Sequence, residues 1–169
     1  MARIPKKITQ AYLEAAALHY LERFASSAAN LRRVLQRKVQ RSAAHWGDDA
    51  GQFAPLIDRL LERYQASGLI DDKRYAEAKV ASERRRGRST RAIAQRLAMK
   101  GVANEITKKA LDEHEGDDVT AARAFAKRRR LGPYRTAKRS ELRDKDLAAL
   151  GRAGFAYEIA RSVVDGEID

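Results

Sequence analysis

The chain has 169 residues, 44% of them hydrophobic and 34% charged, and it contains no cysteine. That balance excludes general disorder, and the missing cysteine excludes disulfides, thiolate metal sites and cysteine nucleophiles. Lys and Arg number 35 against 23 Asp and Glu, a net charge of +12, which directs attention to polyanionic partners such as nucleic acid or an acidic protein face.

Residues 1–8 read as an N-terminal extension with no apolar run of signal length. No stretch of about 20 apolar residues follows anywhere, so a cytoplasmic protein with no membrane association is expected. Helical periodicity dominates thereafter. Leu13, Ala17, Leu21 and Phe24 share one face, and Leu31, Val34, Leu35 and Val39 share the next, capped by Ser27 or Asn30. Gln40–Ala54, with Gly47, Asp48, Asp49 and Gly51, reads as a long loop holding Trp46. Pro55 then opens a helix bearing Ile57, Leu60, Leu61 and Tyr64. Gly68 ends it, with Leu69 folding back on its last turn, and Asp71 or Asp72 caps its successor. That helix carries Tyr75, Ala78 and Val80.

Ser89 or Thr90 caps a helix bearing Ile93 and Leu97, which Gly101 stops, and Ile106, Ala110 and Leu111 mark a short helix after it. Beyond the acidic turn 113–118 come a helix with Ala122, Phe125 and Ala126, a break at Gly132-Pro133, and two final helices around Leu147 and Leu150 and around Ile159, Val163 and Val164. No segment alternates as a strand does.

Two segments align without a gap. Leu97…Gly101-Val102-Ala103…Glu105-Ile106 matches Leu150…Gly154-Phe155-Ala156…Glu158-Ile159. In this frame Leu closes one helix, Gly turns the chain, an apolar residue plugs the gap, and Glu enters the first turn of the next helix. The expected fold is therefore all-α, an elongated, curved stack of three tandem three-helix repeats made of about nine short helices. The expected limits are 9–70 for the first unit, with its loop at 40–54, then 71–116 and 117–169.

The positive charge clusters by unit. The segments Arg23–Arg41, Glu83–Lys100 and Arg123–Arg143 hold nearly all-basic runs, whereas acids collect around Asp48, Asp58 and Asp112–Asp118. Aligned by stacking, these runs would form a stripe suited to a long polyanion or an acidic groove. The candidate partner-binding residues are Arg84, Arg85, Arg86, Arg88, Arg91, Arg96 and Lys100, flanked by Arg32, Arg33 and Arg37 and by Arg128, Arg129 and Arg130. Catalysis has little footing. His19, His45 and His114 are isolated, no phosphate-binding glycine motif occurs, and capping accounts for Asp71 and Asp72 better than a metal does. No cofactor is expected. A rival reading takes 89–111 as a helix-turn-helix-like segment of a stand-alone nucleic-acid-binding protein.

The stretch Gly68-Leu69-Ile70-Asp71-Asp72-Lys73-Arg74-Tyr75-Ala76 resembles the most distinctive segment of the RecX regulatory proteins. Arg91–Gly101 is similar to that family's helix ending in Lys-Gly, Arg152-Ala153-Gly154-Phe155 to its C-terminal Arg-Arg-Gly-Phe, and Ser27–Leu35 to its first basic helix. The resemblance covers roughly residues 9–165. Val39, where the family ends a helix with Gly, and Ala153, in place of an Arg, depart from the pattern. The resemblance implies tandem three-helix units and a non-enzymatic regulator; a monomer is expected. Such a protein binds the RecA recombinase filament on single-stranded DNA, directly or through the filament, and mainly inhibits its recombinase, ATPase and coprotease activities.

Overall fold

A computed structural model describes residues 4–166; positions 1–3 of the N-terminal extension and 167–169 of the last expected unit lie outside the described residues. The described residues form nine α-helices and no strand: α1 Gln10–Leu21, α2 Ala28–Trp46, α3 Ala54–Ala66, α4 Asp72–Arg85, α5 Thr90–Met99, α6 Asn104–Asp112, α7 Asp118–Arg129, α8 Arg143–Arg152 and α9 Tyr157–Asp165. Short 3₁₀ turns at Ala50–Phe53 and Gly132–Tyr134 precede α3 and follow α7. The chain forms two compact units. One runs to Tyr75 and takes in Lys100–Val102; the other takes Ala76–Met99 and everything from Ala103 on.

In the first unit Leu13 and Ala17 of α1, Leu31, Leu35 and Val39 of α2, and Ile57, Leu60, Leu61 and Tyr64 of α3 form one buried cluster, closed by Ile70. In the second, Ala122, Phe125 and Ala126 of α7 pack with Leu150 of α8, Phe155, and Ala160, Val163 and Val164 of α9. Helices of this length are marginal alone, so these clusters and the helix ends hold them.

The capping residues fall where side-chain chemistry places them. Ser27 accepts from the Asn30 N–H, Asp71 from Arg74, Ser89 from Ala92 and Asp117 from Thr120. The cap hydroxyls also donate onward: Ser27 to the Lys100 carbonyl and Ser89 to the Ala153 carbonyl. Each of those carbonyls directly precedes a left-handed glycine, Gly101 or Gly154. The next N–H in each helix is taken by a carboxylate, Ala28 by Asp72 at 2.8 Å and Thr90 by Asp118 at 2.7 Å. One arrangement therefore caps both α2 and α5: a serine, an aspartate from the first turn of another helix, and the C-terminal end of a third. The gapless match of Leu97 with Leu150 is visible in space, since both are fully buried and Val102 and Phe155 plug the equivalent positions.

Several local expectations are corrected. The loop expected at 40–54 does not exist as such, because α2 continues to Trp46 and Gly47, at φ +77°, stops it. Gln40, Arg41, Ala43 and Ala44 are good helix formers, and Ser42 and Ala43 extend the buried face of Leu35 and Val39. Trp46 ends that helix and donates Nε1–H to the Pro5 carbonyl at 2.9 Å, with Lys7 over its ring. After α3 the residue that folds back is Ile70, whose N–H reaches the Tyr64 carbonyl, while Leu69 is half exposed. Phe24 lies beyond α1 and is exposed, and on α4 the buried small residue is Ala76 rather than Ala78.

A Cβ on Gly101 would lie 2.5 Å from the Ala29 Cβ, and one on Gly154 2.6 Å from the Ser89 Oγ. Gly101→Val and Gly154→Val are expected to destabilise by about 2–4 kcal/mol each, combining left-handed strain with overpacking. Gly47→Ala, which meets nothing within 4 Å, is expected to cost only about 1 kcal/mol; urea unfolding of the three variants checks the order. Acid acts on two carboxylates of the fold. Burial raises the Asp118 and Asp146 carboxyls, but hydrogen bonds from Arg84 and Thr90 to the one, and from Arg135 and the Gly132 N–H to the other, outweigh it and hold both below the usual range. Their contribution is present above the unfolded value of about 4 and is lost as pH falls through the lower folded values. Asp146→Asn is therefore expected to be less stable at neutral pH and to lose less between pH 4 and 2, measured by denaturant titration at each pH.

Candidate functional site

The run Arg84-Arg85-Arg86-Gly87-Arg88 ends α4. Basic residues suit the negative end of the helix dipole there, and Gly87 turns the chain so that the Arg88 N–H reaches the Glu83 carbonyl. Its arginines separate into two kinds. The Arg84 side chain is 7% exposed and donates to Asp118 Oδ1 and to Thr90 Oγ1, each at 2.6 Å. This corrects the expectation that Arg84 meets a partner: the same aspartate caps α5, so the guanidinium belongs to the fold. Arg85 and Arg91 are exposed.

Glu83 organises the others. Its carboxylate is 1% exposed and lies 3.3 Å from Lys79 Nζ and 3.7 Å from Arg86, Arg88 and Arg96. Neither oxygen has a hydrogen bond, so one buried anion holds four cations by charge alone. Three of those cations are candidates from the sequence; Lys79 was missed. The signal was present, because Glu83 is the only acid among the basic residues of that segment. Arg128 joins from α7, donating to the Arg86 carbonyl at 2.6 Å, and Arg128 and Arg129 both lie 5.8 Å from the Phe125 ring centre. Arg130 is exposed and adopts the left-handed conformation that ends α7, φ +54°.

In the other compact unit Arg32 pairs with Asp58 of α3, and Arg33 and Arg37 are exposed on α2. Lys100 donates to Asn30 Oδ1 at 3.3 Å. Not every basic residue of the 123–143 run is displayed either. Arg135 chelates buried Asp146 at 2.6 and 2.7 Å, and Arg143 chelates Asp165 at the same distances.

The helix-turn-helix-like reading of 89–111 finds its two helices in α5 and α6. The exposed face of α6, however, carries Glu105 and Asp112 beside Lys108 and Lys109, a balanced charge ill suited to a phosphate-lined groove. Among the described residues no group of His, Asp and Glu could hold a metal ion, and no helix is long and apolar enough to cross a membrane.

Substituting Glu83 by Gln would leave four cations without their common anion. The cations are part exposed, so the loss is expected to be about 1–3 kcal/mol at low salt, below the usual cost of breaking a buried pair, and smaller in 0.5 M salt, on the order of the fraction that screening removes. Thermal unfolding of Glu83→Gln at two salt concentrations checks it.

The family model for the RecX second three-helix domain matches residues 71–111. The chain is 45% identical over 165 residues to the regulatory protein RecX of Myxococcus xanthus, covering 95% of this chain and 88% of that protein. It is 35% identical to that of Agrobacterium fabrum, over 88% and 79% of the two chains, and 32% identical to that of Halorhodospira halophila, over 75% of each. No solved structure gives a significant match.

Proposed function

This chain belongs to the RecX family of regulatory proteins, and from that premise we propose that it binds a RecA-type recombinase filament on single-stranded DNA. In this reading it mainly inhibits the filament's strand exchange, ATP hydrolysis and coprotease function. It acts as a cytoplasmic, non-enzymatic monomer of three tandem three-helix units, contacting the DNA either directly or through the filament. The observation that carries the proposal beyond the family is the cluster around Glu83: Arg86, Arg88 and Arg96 are gathered at one place by a single buried anion. A preassembled group of guanidinium ions loses less entropy on meeting phosphates or carboxylates than three independent side chains would.

The contact residues proposed are Arg85, Arg86, Arg88, Arg91 and Arg96, supported by Arg128, Arg129 and Arg130 and, from the other compact unit, by Arg32, Arg33, Arg37 and Lys100. Arg84 is left out because its charge is spent on Asp118. Electrostatic attraction of this kind speeds encounter and weakens as salt rises. The stand-alone nucleic-acid reading gains no support from the mixed charge of α6.

The test is filament ATPase. Equimolar protein added to preformed filaments is expected to lower ATP hydrolysis and strand exchange. The Arg85/Arg86/Arg91 triple-alanine variant is expected to need about tenfold more protein for the same effect, equivalent to about 1.4 kcal/mol of binding. Unaltered hydrolysis with the folded wild-type protein removes the proposal.

A further inference from the structure

Between α7 and α8 lies a cleft of about 430 Å³ that the charge cluster does not use up. Its rim carries Arg88, from the turn before α5, together with Arg129 and Arg152. Its floor is Phe125, Leu131 and Ala149. No acidic residue lines it. Arg88 is shared with the Glu83 cluster, while Arg129 and Arg152 are exposed. Three cations around an apolar floor select a ligand that is apolar at its centre and anionic at its margin.

Two classes of polyanion meet that description in outline, and the floor separates them. A nucleobase binds by stacking on a free aromatic face and by satisfying its polar edge. Phe125 offers no such face. It is 8% exposed, two guanidinium groups lie 5.8 Å from its centre, and the Phe155 ring packs 5.9 Å away at 60°. The backbone groups nearby are also taken. The Leu131 N–H donates to Ala126, the Phe155 N–H to Leu150, and the Ala153 carbonyl accepts from Ser89. A base edge set on this floor would find no free backbone carbonyl for its N–H donors, because the rim offers only further donors. An aliphatic or aromatic side chain loses nothing, and carboxylates beside it meet guanidinium groups suited to bidentate pairing.

We propose that this cleft is a docking site for an acidic peptide segment of a partner protein, with one large apolar side chain seated over Ala149, beside Phe125 and Leu131, and neighbouring carboxylates paired with Arg88, Arg129 and Arg152. The site goes beyond the recombinase reading and does not depend on which protein supplies the segment.

The experiment uses the full chain and a fluorescein-labelled peptide of aspartate, glutamate and glycine with one central leucine, followed by fluorescence anisotropy. Saturable binding is expected, weakened about tenfold or more, about 1.4 kcal/mol, by Ala149→Leu, which fills the cleft, and by Arg152→Gln, which removes a rim charge. Replacing the peptide's leucine by serine is expected to weaken binding to the wild-type protein by a similar factor. If Ala149→Leu lowers the melting temperature, Arg152→Gln and the serine peptide decide. The proposal is overturned if the wild-type protein shows no saturable binding, if the serine peptide binds as tightly as the leucine peptide, or if the folded variants bind like wild type. It is equally overturned if labelled oligothymidylate loses affinity by the same factor in both variants, which would make the cleft a DNA contact. Filament inhibition is measured separately, so failure here leaves the recombinase proposal standing.

Discussion

The N-terminus of a short helix is the constraint on which this architecture depends. Each helix begins with N–H groups that no residue of its own can satisfy, and leaving one buried and unpaired costs about 1–3 kcal/mol. At α2 and α5 the chain meets that demand with residues from three places at once. Ser27 and Ser89 accept from their own helices, Asp72 and Asp118 take the neighbouring N–H, and the serine hydroxyls donate to the carbonyls before Gly101 and Gly154. The glycines are required because a side chain at either point would strike Ala29 or Ser89 itself. Packing of Leu35, Leu97 and Leu150, all fully buried, supplies apolar stabilisation, but the helix ends fix which element stands against which.

The same economy governs the charge. A net +12 suggests a uniformly cationic surface, yet the fold consumes part of it. Arg84 holds Asp118 while that aspartate caps α5, Arg135 holds Asp146 while that aspartate receives the Gly132 N–H, and Arg143 ties to Asp165. Glu83 does the reverse. It is a buried anion with no hydrogen bond, surrounded by cations whose outer portions remain in solvent. Its effect is to concentrate positive charge rather than to cancel it, since one negative charge is set against four positive ones.

How far sequence reading reached follows from the range of the interactions involved. Caps and stops are local, so Ser27, Ser89, Gly68, Gly101 and Gly154 were legible from a few neighbouring residues. The end of α2 was not, because Gly47, Asp48 and Asp49 carry loop character that overshadows the helix-forming residues before them, and the burial of Ser42 depends on a distant partner, the Lys6 carbonyl to which its hydroxyl donates. Ile70 and Leu69 are not separable in sequence, because both are apolar and only the backbone geometry after Gly68 chooses between them. The candidate arginines were found as a class, but sorting Arg84 from Arg85 needs knowledge that Asp118, 34 residues on, stands beside one and not the other. The cleft over Phe125 draws on residues from Arg88 to Ala153 and has no signature in any one segment.

The final helices show how the capping exchange ends. Extending the gapless match backwards from Leu97 and Leu150 sets Leu142 opposite Ser89 and Asp146 opposite Ile93. Leu142 has no side-chain hydrogen bond to offer α8, so the seat that receives a carbonyl and an aspartate at α2 and α5 is not rebuilt there. Asp146 turns a core position into a buried carboxylate, and its hydrogen bonds go to Gly132 and Arg135 instead of to a further helix. Arg139 and Arg143 then fasten the segment before and at the start of α8 to Val164, Gly166 and Asp165 at the end of α9. In the repeat's own frame Leu142 stands where Ser89 caps α5, and Asp146 stands where Ile93 is core, so α8 shares neither the side-chain cap nor that apolar residue with α5.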